Sequence, residues 1–324
     1  MSIVALLLLQ AGAQGLPAPL QVPVRCQPGR DCFVQKHVDQ QVGPGRRDYR
    51  CGTLTTEEHD GVDIRLRTLA DLQRGVDVIA AAPGTVLRVR DGEPDVSVRD
   101  RAGSAERMAG NGVVISHGNG WETQYSHLRG GSIAVRAGQR VAAGQKLGLV
   151  GLSGNTEYPH LHFTVRRGGE AVDPFTARPR GAACASSGGS FGNGLWSAAA
   201  NRALAYTPTA VLAVGFSAGP ADAAAARAGR YDRIVIGRQD PMVVWADSFG
   251  AVPGDVQVFT VLGPGGARLS RSEVPVARGG LSWFGFSGKG PGPSGWAPGR
   301  YRGSYELLRG GALVSKGEAS VEVR

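Results

Sequence analysis

The sequence predicts an all-β protein: an antiparallel sheet over residues 53–177, followed by a β-sandwich-like domain over 205–324. Three observations carry this. Short runs of β-branched and aromatic residues recur at regular intervals with turn residues between them. Gly (50) and Pro (19) are abundant among 324 residues, yet no Gly-X-Y period exists, so they read as turns rather than collagen. Helical spacing of apolar residues stands out at one place, Leu66, Leu69 and Leu72, where Gly75 ends it. Apolar residues at 42% and charged residues at 19% exclude a disordered chain and a polytopic membrane protein.

At the N-terminus, residues 3–9 are an unbroken apolar run, followed by Gln10-Ala11-Gly12-Ala13-Gln14. The small-x-small site makes residues 1–13 a secretory signal peptide cleaved after Ala13. No Lys or Arg precedes the run, and a start further upstream would supply them. The run falls short of the roughly 20 apolar residues that span a bilayer. Residues 14–52 form a Pro/Gly-rich lead-in that holds Cys26, Cys32 and Cys51, and the fourth cysteine is Cys184. The even count fits disulfides in an oxidising compartment, tying the lead-in to the body, with the pairing open. Only Cys26 and Cys32 are close in sequence, which argues against a four-cysteine zinc site.

In the first block, runs at 76–80 and 84–89 flank a Pro83-Gly84 turn. Runs at 113–115 and 122–125 flank Gly118-Asn119-Gly120, a hairpin signal. Runs at 132–135, 139–141 and 146–150 follow. Residues 160–165, His-Leu-His-Phe-Thr-Val, alternate and are rich in β-formers. The polar stretch 91–110 reads as a long loop, Asp173-Pro174 closes the block, and 178–204 reads as a linker. The second block has strands at 210–214, 233–236, 242–245, 255–261 and 300–307, and 221–228 is either a helical turn or a loop. It has no His and no Cys. Trp245, Trp283, Trp296, Tyr301 and Tyr305 read as core aromatics, with a carbohydrate-binding face or a cover over the first block as alternatives.

Chemistry concentrates in the first block. Four of the six histidines sit in patterns: His59-x3-Asp63, Tyr125-Ser126-His127-Leu128 and His160-x-His162. On a strand, residues i and i+2 project from one face, so both imidazoles of the last pair reach the same side. A catalytic Zn²⁺ takes three N and O ligands and keeps one position for water. His59, Asp63 and one member of the His160/His162 pair supply such a set. The remaining imidazoles then lie beside the water and the developing oxyanion.

In this order, and with Gly154-Asn155-Thr156 and Pro159 ahead of His160, these motifs resemble the LytM-type M23 metallopeptidases. The hairpin around His117, the 141–148 stretch and Gly61 are also similar to that family. The resemblance covers roughly residues 52–176, and its combined motifs are specific. It implies an antiparallel β-domain with a groove over the sheet. It implies that His59, Asp63 and His162 bind Zn²⁺ and that His127 and His160 are catalytic without ligating. His117 has no catalytic role there and reads as a hairpin hydrogen-bonder; His37 lies outside the motif. The long 91–110 loop departs from the pattern and bears on the groove rim.

The activity implied is hydrolysis of stem-peptide cross-links or bridges in bacterial peptidoglycan, by an exported protein of the periplasm or cell envelope. The alternative is a non-catalytic LytM-like activator or wall-binding scaffold for another hydrolase. The formal net charge of +9 favours anionic wall or membrane surfaces. Nucleic acid is a poor fit, since no basic run with interleaved aromatics is present.

Overall fold

A computed structural model describes residues 15–100, 108–184 and 192–324 of the chain. The leader at 1–13 lies outside them, as do the centres of the 91–110 loop and of the 178–204 segment. The first part comprises β1 (Cys32–Lys36), β2 (Val62–Leu66), α1 (Leu69–Arg74), β3 (Asp77–Ile79), β4 (Gly84–Arg90), β5 (Asn111–Gly118) and β6 (Trp121–Leu128). It continues through β7 (Arg140–Val141), β8 (Lys146–Leu149), β9 (His160–Arg167), β10 (Glu170–Asp173) and β11 (Arg178–Pro179). After α2 (Ala198–Ala203), which packs on the first core through Ala200, the second part comprises β12 (Ala210–Ser217), α3 (Ala223–Arg227), β13 (Val235–Ile236), β14 (Met242–Phe249) and β15 (Val256–Leu262). It ends with β16 (Arg268–Pro275), β17 (Trp283–Lys289), β18 (Gly299–Arg309) and β19 (Ala312–Val323).

A 9-stranded sheet organises the first part, with the order β1-β2-β9-β6-β5-β4-β7 and with β10 joining β9 to β11. Its described pairings are antiparallel. The strands alternate strictly. Val62, Ile64, Leu161, Phe163, Val165 and Tyr125 are buried in one core. By the two-residue period of a strand, Asp63, His160, His162, Thr164 and Arg166 project from the opposite face. That face carries the cleft.

Several expectations shift in position. Leu66 ends β2 rather than opening the helix, which starts at Leu69 after the cap Thr68. The cap is reciprocal, with Thr68 accepting from Asp71 N and Asp71 accepting from Thr68 N. The 132–135 run is no strand: Ala134 N donates to Leu147 O and Ser132 Oγ accepts from Leu149 N, but no strand ladder forms along it. Residues 221–228 do contain a helix, α3, capped by Asp222.

The lead-in and the 178–204 segment both belong to the first core. β1 adds an edge strand against β2. Leu20 and Trp196 are buried together, and Leu20 exchanges backbone hydrogen bonds with Leu195 and Ser197. Disulfides join Cys26 to Cys32 and Cys51 to Cys184, the second tying the lead-in to the segment after β11.

The second part is a two-sheet sandwich. One sheet has the order β12-β14-β17 and the other β13-β19-β18-β15-β16. Phe216, Val244 and Ala246 from the first sheet share a core with Phe259, Tyr301, Tyr305 and Val321 from the second. Only β13 pairs in parallel, with β19. Trp245, Trp296, Tyr301 and Tyr305 are buried, as core aromatics should be, while Trp283 is half-buried.

The sandwich rests against the sheet through a mixed interface. Phe33 and Leu54 pack with Ala210, Leu212 and Phe249. Arg65 Nη2 lies 3.2 Å from Asp247 Oδ2, with both side chains almost fully buried. Arg227 takes both oxygens of the same carboxylate at 2.7 and 2.9 Å.

Candidate active site

Strand register assembles the site. Across adjacent strands, Lys36 on β1 pairs with Asp63 on β2, Asp63 with His162 on β9, and His162 with Ser126 on β6. His160 lies opposite Arg65. His127 follows Ser126 with a left-handed φ of 61°, which turns its side chain out of the strand's alternation. Lys36, Asp63, His127, His160 and His162 line a cleft of about 750 Å³ together with His59.

Asp63 is the hub. Its Oδ1 lies 3.1 Å from His59 Nε2, 2.9 Å from His162 Nδ1 and 3.5 Å from His160 Nε2. Its Oδ2 lies 3.0 Å from Lys36 Nζ. Burial pushes the carboxyl towards the neutral form, but His160, His59 and Lys36 prevail and hold it well below the ordinary carboxylate range.

Each imidazole is oriented from behind. His59 Nδ1 donates to His37 O at 2.8 Å, which turns Nε2 towards Asp63 Oδ1 at 3.1 Å. His37 is itself buried among Tyr49, Phe175 and Tyr206, so the lead-in fixes a side chain of the site through its backbone. His162 Nε2 meets Asp60 Oδ1 and Thr164 Oγ1, both at 3.0 Å. Asp60 Oδ2 in turn accepts from Arg166 at 2.8 Å, and Arg166 donates on to Gln124 Oε1 at 2.8 Å. Burial opposes charge on His162, yet Asp60 and Asp63 raise its pKa to about 9.

His127 Nδ1 donates to Ser153 O at 2.7 Å. Burial first, then His160 and His162, push its pKa well below the ordinary value, so it is neutral with Nε2 as acceptor. His160 Nδ1 lies 3.0 Å from Tyr158 O, and its ring centroid is 4.6 Å from that of His127. Gly61 is needed between His59 and Asp63 because the His162 ring crosses it: a Cβ there would sit 2.7 Å from His162 Nε2.

The structure thus brings His59, Asp63, His127, His160 and His162 into one cleft. Among the described residues, His59, Asp63 and His162 offer one donor atom each, all within 4.8 Å of one another. Two imidazoles and a carboxylate, with the outer nitrogen of each imidazole already engaged, fit a metal ion of the kind that takes N and O donors. Asp63 faces His162 Nδ1 and Asp60 faces Nε2, so a cation at Nδ1 would take the place of the proton beside Asp63 while Asp60 holds the ring from its other nitrogen. A second cluster, Cys26, Asp31 and Cys32, is spoken for by its disulfide.

His117 takes Pro83 O and Thr123 Oγ1, both at 2.8 Å, and is a hairpin hydrogen-bonder. Glu57 and Glu58 are exposed on the cleft wall. The flanks of the long loop, at Val98 and Met108, form part of the rim. Sequence patterns did not single out Lys36, Asp60, Gln124, Thr164 or Arg166. Thr164 and Arg166 stand two and four residues after His162, so the same alternation that places His160 and His162 together also predicts their face. Nothing in the sequence pointed to Lys36, because the lead-in carried no strand signal.

Residues 57–174 match the family described as Peptidase family M23. The chain carries an M23 peptidase domain. A metalloprotease of Haemophilus influenzae, described as uncharacterised, is 33% identical over 144 residues, covering 44% of this chain and 26% of that protein. The peptidoglycan DD-endopeptidase ShyA of Vibrio cholerae is 45% identical over 69 residues, 21% of this chain and 16% of that protein. The chain therefore spans well under two thirds of the length of these relatives. Among solved structures, the catalytic domain of the prophage-encoded M23 protein EnpA from Enterococcus faecalis covers 45% of this chain and 91% of its own, at 26% identity and a TM-score of 0.31. The M23 domain is thus β2 to β10 with its connections, and β1 lies outside the matched residues.

Proposed function

We propose that this chain is a zinc-dependent endopeptidase that hydrolyses stem-peptide cross-links or bridges of bacterial peptidoglycan in the periplasm or cell envelope. His59, Asp63 and His162 hold the Zn²⁺, and His127 and His160 act on the reacting groups. What supports this reading is one observation: two imidazoles and a carboxylate converge at the floor of a cleft with two further imidazoles beside them. Two disulfides, the apolar leader and the positive net charge fit an exported protein that meets an anionic wall.

Zn²⁺ at the three donors supplies a Lewis acid that polarises the scissile carbonyl and acidifies water. The chain's own residues do the rest. His127, neutral and acceptor at Nε2, takes a proton from the attacking water and returns it to the departing amine. His160, anchored through Nδ1, presents Nε2 towards the developing oxyanion. Asp60 and Arg166 keep His162 from turning.

Digestion of purified peptidoglycan tests this. Zinc-loaded protein is expected to release soluble peptide-linked fragments, and a chelator is expected to stop the release. Mass analysis of the products names the bond. No release by loaded protein contradicts the hydrolase and leaves the non-catalytic activator or scaffold.

A further inference from the structure

The cleft is not built by the M23 domain alone. Leu281 and Ser282, in the connection from β16 to β17 of the sandwich, line it alongside the histidines. They are fixed from both sides. On the sandwich side, Gly250 N donates to Gly280 O at 3.1 Å and Gly280 N to Ala251 O at 2.9 Å. On the peptidase side, the fully buried Gln35 donates its amide to Leu281 O and to Ser282 Oγ. Arg65, two residues after Asp63 on β2, lies 3.5 Å from Ser282 Oγ and is locked to the sandwich through Asp247. Leu281 also packs on the apolar interface cluster. Ser282 itself is exposed, so its side chain is available to whatever fills the cleft.

We propose that Leu281 and Ser282 are specificity-determining residues, and that the C-terminal sandwich is a fixed wall of the substrate cleft that contacts the bound peptide. The inference rests on the peptidoglycan reading for its substrate class. It differs from a swinging cover, because a buried ion pair and an apolar cluster hold the wall to the strand that carries Asp63. A peptide lying across His59, Asp63 and His162 reaches the wall within the same cavity, so its residues on that side must fit against Leu281 and Ser282.

Two measurements test the wall. Ser282→Tyr places bulk in the cleft without touching the histidines. It is expected to raise KM for a soluble cross-linked peptidoglycan peptide about fivefold or more while kcat stays within about twofold. Metal content is expected to match the parent. A parental KM overturns the proposal. Independently, the indole resonance of Trp283, next to Ser282, is followed in the His127→Ala protein as the same peptide is added. A saturating shift supports the wall even if the parent cleaves nothing, in which case the hydrolase reading alone falls. No Trp283 shift across the titration overturns the wall, even if the parent cleaves the peptide efficiently.

Discussion

At the residue scale, the division of labour proposed for the imidazoles rests on what stands behind each ring. His162 sits between Asp60 and Asp63, which hold positive charge on it and raise its pKa to about 9. His127 is buried beside two other histidines, which keeps it neutral against the pull of the Ser153 carbonyl. A ring that favours positive charge suits a cation, and a neutral ring suits a base. His127→Ala is therefore expected to keep the bound metal and to lose about 10²–10⁴ of the hydrolysis rate, measured as peptide release at matched metal content. Unchanged turnover removes His127 from the mechanism. His59, Asp63, His160 and His162 stood out in the sequence because His-x3-Asp and His-x-His are spacings that chemistry restricts, whereas His127 and the split between ligands and other imidazoles came only with the resemblance to the LytM-type family. Asp60 could not be told from any other carboxylate in a turn, because its role depends on a ring arriving from a strand about a hundred residues later.

At the level of strands, alternation was legible wherever a strand has a buried and an open face, as in β9. It misled at 132–135, where Val135 is buried but the backbone has no strand partner. It also missed β17 and β19, whose glycines interrupt the pattern. The reason is packing: a Cβ on Gly317 of β19 would lie 2.6 Å from Val214 Cγ2 on β12, so the close approach of the two sheets excludes a side chain there. β1 escaped notice because a Pro/Gly-rich surround hid five strand residues. At the end of β10, burial raises the pKa of Asp173 from 3.8 to about 7, with Asp48 adding to the effect. The unfolded chain loses this proton near its ordinary value, while the folded chain keeps it until about 7. Folding stability from this group is therefore intact at low pH and declines as pH rises from about 4 to about 7, by an amount on the order of a few kcal/mol. Asp173→Asn retains an oxygen for Phe175 N and does not titrate. Urea unfolding at pH 5 and pH 8 is expected to show a smaller loss in the variant than in the parent. An equal loss in both places the titration elsewhere.

The whole molecule is bound together by Asp247, which neutralises two guanidiniums at once, one from the peptidase sheet and one from α3. Asp247→Ala leaves both without their carboxylate. Unfolding by urea is expected to show a loss of about 3–5 kcal/mol, the cost of breaking a buried pair from one side. A loss under about 1 kcal/mol would mean that the ion pair does not hold the sandwich in place. That attachment fixes the outer wall of the cleft, while the sheet beneath supplies its floor. The floor is the centre of the account, and metal stoichiometry tests it most directly. Purified protein, dialysed and analysed by plasma mass spectrometry, is expected to carry about one zinc per chain, as a three-ligand site should. His162→Ala is expected to carry almost none. Metal retained in that variant at the parental ratio contradicts the assignment of His59, Asp63 and His162.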